Sequence, residues 1–119
     1  MKDMVKVLAE ATEEQRRTMM KERLEMFAEM SEADRKTAMS QMFEAAGNLP
    51  QADIKKLTKT RIQIVCDMPD EMRMTLMNTH MDILQGMPQQ KAMMEMDITK
   101  SIMPELSAKH RQQVEEMMK

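Results

Sequence analysis

Aromatic residues are nearly absent. The 119-residue chain has no Trp, no Tyr and only Phe27 and Phe43. A surface that reads single-stranded nucleic acid by stacking therefore has almost nothing to stack on. Charge of either sign is not in excess: 18 basic against 20 acidic residues leave a net charge of −2. No basic footprint for polyphosphate follows, and no nucleic-acid partner is expected. Cysteine occurs once, at Cys66, which excludes an intrachain disulfide and a cluster of thiolate metal ligands. Glycine occurs only at Gly47 and Gly86. Strand-favouring residues are few beside Ala, Glu, Lys, Arg, Leu, Met and Gln, so helix is the expected element. No apolar run approaches the ~20 residues that cross a bilayer. The opening MKDMVKVLAEA places charges inside its apolar stretch, unlike an export signal. The reading is no membrane and a cytoplasmic location.

Catalytic patterns are missing as well. There is no Gly-rich phosphate loop, no paired-His metal motif and no Ser nucleophile elbow. His80 and His110 stand alone in their segments. Cys66 lies near a helix end beside Asp67, where the negative end of the helix dipole opposes a thiolate. No enzyme, no cofactor and no resident metal are expected.

What the chain does have is methionine, 20 residues of it, and a period. Met30, Leu49, Met68, Met87 and Leu106 stand 19 residues apart, each followed by Ser or Pro; one step back lies Ala11, followed by Thr12. Numbering columns from these residues, column 2 holds Thr12, Ser31, Pro50, Pro69, Pro88 and Ser107, all helix starters. Acids or amides follow at Glu13, Glu32, Asp34, Gln51, Asp53, Asp70, Glu71 and Gln89, where they complement the positive end of a helix. Apolar residues recur in columns 9, 10, 14, 16 and 17, which share one broad helical face. Gly47, Asn48, Asp67 and Gly86 then interrupt the helices. In the fifth unit Glu95 occupies an apolar column and Thr99 and Lys100 break the stripe, so irregularity is expected between Met94 and Met103.

One short helix cannot cover its own stripe, so each must stack on its neighbours. The predicted fold is all-α: one domain over residues 1–119, built of tandem 19-residue single-helix repeats. About six short helices and a partial N-terminal helix pack as a compact array or short superhelix.

Two features suggest contact surfaces. Columns 6 and 13 fall in the middle of the apolar arc yet carry Arg16, Arg35 and Arg73, and Arg23, Arg61 and His80. If the flanking columns touch adjacent helices, these six residues line an inner groove for a carboxylate, a phosphate or an acidic peptide. Alternatively, they pair with acids of the neighbouring helix. In units four and five, positions that are polar elsewhere become Met72, Met74, Met93 and Met94. Such a patch suits an adaptable interface with a protein partner or a second copy of the chain. The functional expectation is a non-catalytic protein-interaction module, able to self-associate through that surface. The alternatives are an anionic-ligand binder using the arginine line, and a Cu(I)-binding protein using closely spaced thioethers such as Met72 and Met74.

Overall fold

Each helix from α2 to α7 follows a residue suited to start it. The computed structural model describes residues 2–117 as seven α-helices: α1 (Lys2–Glu10), α2 (Glu13–Glu29), α3 (Glu32–Ala46), α4 (Gln51–Cys66), α5 (Asp70–Gly86), α6 (Gln89–Ile102) and α7 (Ala108–Met117). There is no strand among the described residues. The Thr12 hydroxyl accepts the Gln15 amide proton at 3.2 Å, and the Gln15 side chain accepts the Thr12 amide proton at 3.3 Å. Ser31 and Ser107 accept from the amides of Asp34 and His110, each at 3.2 Å. Pro50, Pro69 and Pro88 cap α4, α5 and α6 with φ at −54° and no side-chain bond. Their rings preset the entry dihedral, which stands in for a hydroxyl.

The helix ends differ from expectation. Neither glycine adopts a positive φ; Gly47 sits at φ −63° and ψ −16°. The chain turns within two to four residues between successive helices from α1 to α6. Four of the ends are held instead by the arginines of column 6. Arg16 donates from Nε to Leu8 O at 2.9 Å and from Nη2 to Ala11 O at 2.8 Å and Ala9 O at 3.3 Å. Arg35 repeats this one unit later, on Phe27 O at 2.9 Å, Met30 O at 2.6 Å and Ala28 O at 3.4 Å. Arg73 reaches Cys66 O and Met68 O, each at 3.4 Å. Arg111 reaches Met103 O at 3.2 Å and Leu106 O at 3.1 Å. Each arginine thus folds back over the end of the preceding helix and satisfies carbonyls that have no amide partner within it. Its charge also lies at the negative end of that helix dipole. Where column 6 lacks arginine, at Ile54 and Ala92, the preceding helix ends at Gly47 or Gly86.

The helices wind as a tight spiral. Every helix from α1 to α4 packs on the second helix after it; α1–α4, α2–α5 and α4–α7 also pack, closing the spiral into a body of 33 × 32 × 30 Å. Its main core includes Val5, Leu8, Met20, Leu24, Phe27, Leu57, Leu76 and Ile83. Cys66, Leu106 and Val114 form a smaller cluster under α7. The expected irregularity in unit five is narrower than the pattern implies: α6 runs unbroken to Ile102, and only Met103–Glu105 form a single 3₁₀ turn, at Pro104.

Two apolar columns, 9 and 16, leave residues outside near the start of the chain. Val7, Met19 and Met26 are 52%, 38% and 53% exposed.

Candidate functional site

The spiral has gaps. The pairs α3–α4, α5–α6 and α3–α6 are not among those that pack closely. Two cavities lie where these contacts are missing.

The larger, about 520 Å³, opens between α3 and α6. Its walls are mainly apolar, with Met20, Phe27, Met39, Leu57, Ile83 and Ile98 inside and Lys36, Asp82 and Lys91 among its other lining residues. The smaller, about 170 Å³, is a groove between α5 on one side and α6 with α7 on the other. Ile62 and Val65 of α4 contribute to its wall, Met77, Met81 and Leu84 come from α5, and Met96 comes from α6. Leu24, Met39, Arg61 and Glu95 line both spaces, so the Arg61–Glu95 pair stands between them.

That pair is the polar centre of the molecule. Arg61 Nη2 lies 3.5 Å from Glu95 Oε1, and His80 Nε2 lies 3.2 Å from the same oxygen. All three side chains are 15–16% exposed. The guanidinium carbon stands 4.9 Å from the Phe43 ring centroid, and the Phe43 and His80 rings are 5.0 Å apart with a 57° tilt. Burial, and secondarily the Arg61 charge, push the His80 pKa down to about 3. Its imidazole is therefore neutral at pH 7, and its 3.2 Å contact with Glu95 is not an ion pair. Burial lowers the Arg61 pKa, and the Glu95 charge and hydrogen bond act against that. Glu95 breaks the apolar pattern of its column because it answers these two side chains.

The six residues of the arginine line are thus divided. Arg61 and His80 meet at the cavities. Arg16, Arg35 and Arg73 clasp helix ends, so the predicted single groove does not form, and their principal partners are carbonyls rather than acids of a neighbouring helix. Arg73 does add a contact to Asp70 in its own helix. Arg23 is partly buried and lines neither cavity.

The methionine patch is divided too. Met72 is partly buried against the core. Met74, Met93 and Met94 are 61%, 55% and 42% exposed, and Met94 lines the larger cavity. Column periodicity placed Met81 and Met96 in the core, yet they are 41% and 44% exposed on opposite lips of the smaller groove. Periodicity marks a face as apolar; it does not show that two helices sharing that face splay apart. The misfit of Glu95 was the available signal for the polar centre.

No group of three or more His, Cys, Asp or Glu side chains placed to hold a metal ion occurs among the described residues. No helix among them is long and apolar enough to cross a membrane. Compared with protein-family models, curated proteins and solved structures, the chain matches none.

Proposed function

We propose that the chain is a non-catalytic interaction module whose methionine-lipped groove between α5 and the α6–α7 side receives an apolar segment of a protein partner. The observation that carries this reading is the pair Met81 and Met96, exposed on facing lips of a groove with an apolar lining. Thioether side chains are flexible and polarisable, so such lips adjust to the shape of an inserted side chain. Met74 lies seven residues before Met81, about two helical turns away on the same face, and Met93 three before Met96. Together they extend the apolar rim beyond the groove, as helix-in-groove recognition requires.

A second copy of the chain is the first partner to test. Light scattering over a range of concentrations reads the mass. A dimer that Met81→Lys and Met96→Lys dissolve supports the reading with a second copy as occupant. A monomer whose affinity-captured proteins are lost on the same substitutions supports it with a different protein. Self-association or capture that ignores both substitutions overturns it.

A further inference from the structure

The larger cavity is not used by that interaction, and it carries a separate chemical signature. We propose that the cleft between α3 and α6 binds a small amphipathic monocarboxylate, its carboxylate on the unoccupied edge of the Arg61 guanidinium and its alkyl body along Met39, Leu57, Ile83 and Ile98.

Three observations converge. The first is size and lining. A mainly apolar space of about 520 Å³ falls within the ~300–1,000 Å³ typical of small-molecule pockets.

The second is an underused cation. A guanidinium carries five N–H donors. Arg61 commits one nitrogen, Nη2, to a 3.5 Å contact with Glu95, and its Nε and Nη1 have no hydrogen-bond partner among the described residues. The other arginines of the line show what a fully engaged guanidinium looks like here: Arg16 and Arg35 each grip three carbonyls. Arg61 is largely enclosed, its side chain 16% exposed, yet its second edge is left for a planar, two-oxygen acceptor. The Phe43 ring lies under the guanidinium, its centroid 4.9 Å from the central carbon.

The third is charge. The centre holds one cation, one carboxylate and a neutral imidazole. A single added carboxylate can share Arg61 with Glu95. A phosphate dianion would bring twice the charge against the one enclosed cation, since Lys36 and Lys91 of the same cavity are exposed to solvent, and a cationic ligand would meet Arg61 itself. A monoanion on an apolar body is the chemistry that fits both the wall and the centre.

The test uses decanoate, with decanol as its uncharged counterpart, on the whole chain labelled at the methionine methyls. The methionines report location without added probes: Met42, Met87 and Met94 line only the larger cavity, and Met77, Met81 and Met96 only the smaller groove. Decanoate should shift the first three signals and bind measurably by calorimetry. Arg61→Gln should weaken decanoate by about tenfold or more, the worth of one charge-assisted contact, while decanol binding stays as it was. Glu95→Gln keeps an acceptor for Arg61 and His80 but removes the competing charge, and should tighten decanoate several-fold; it carries the test if Arg61→Gln fails to fold by circular dichroism. Absent shifts at Met42, Met87 and Met94, shifts confined to Met77, Met81 and Met96, or decanoate affinity that Arg61→Gln leaves unchanged or Glu95→Gln fails to raise, overturn the proposal. None of these results bears on the interaction of the Met81–Met96 groove, which mass and capture measure independently.

Discussion

Replacing Arg16 with methionine should destabilise the fold by about 3 kcal/mol, because two of its contacts are short, charge-assisted hydrogen bonds worth ~1.5–3 kcal/mol each. Methionine keeps most of the aliphatic stem and its packing, so the loss is confined to the donors. Those donors lie 2.9 Å from Leu8 O and 2.8 Å from Ala11 O, in a residue 7% exposed. The 3.3 Å contact to Ala9 O adds little, and water regains part of the freed carbonyl surface, which keeps the total near the lower end of the sum. The charge at the helix end is the same charge and is not counted twice. At ~2.1 cal/mol/K per residue, unfolding 119 residues carries an entropy of ~0.25 kcal/mol/K, so Tm should fall by ~12 °C. That is a large share of a total stability of ~5–15 kcal/mol. Urea and thermal unfolding followed by far-UV circular dichroism measure it. The matched control is Arg17→Met, whose side chain is 50% exposed, pairs with Glu13 one turn back and donates to Gln63 Oε1 of α4 at 3.0 Å; at that exposure its cost should stay below ~1 kcal/mol. If Arg16→Met costs less than ~1 kcal/mol, the arginines of column 6 are surface decoration and the account of the helix ends fails.

Four further outcomes follow from the same contacts. His80 titrates at about 3 when folded against an ordinary value of 6.5; between these values the unfolded chain binds a proton that the native one refuses, so this group's contribution is intact above 6.5 and lost as pH falls towards 3. The urea midpoint should decline over that window, and His80→Phe should flatten the decline. Ala92→Arg, which supplies the arginine that α5 lacks at its end, should raise stability by ~1 kcal/mol in the same unfolding assay. Cys66 is 2% exposed, and burial first, then Asp67, push its pKa up to about 11; thiol reagents should leave it untouched at neutral pH until urea unfolds the chain. A Cu(I) competition titration should show no site tighter than micromolar, since the closely spaced Met72 and Met74 are divided between the core and solvent.

Helix type and helix starts were legible because each depends on a local residue: a hydroxyl, a proline ring, a following acid. Arg35 shows where local reading stops. Its column fell inside the apolar arc, which implied a groove, but its donors turn back eight, seven and five residues along its own chain. A column diagram shows direction around one helix and says nothing of a side chain that folds over the end of the previous one. Arg61 occupies the second column of the same line and meets a different fate, because Glu95 and Phe43 come from α6 and α3 in the folded spiral. Met81 and Met96 were misplaced for a related reason: their faces are apolar as read, but α5 and α6 do not close on each other. The two glycines mark the junctions that lack an arginine, and with hindsight that exchange of Gly for Arg was visible in the sequence.

That exchange has a mechanical consequence. Arginine rivets the chain at four seams and is missing from two, and those two, α3–α4 and α5–α6, flank the cavities. Amide hydrogens around Gly47 and Gly86 should trade with solvent soonest, and a guest bound inside should slow them. The molecule opens, in this view, along the same joints through which anything it holds must pass.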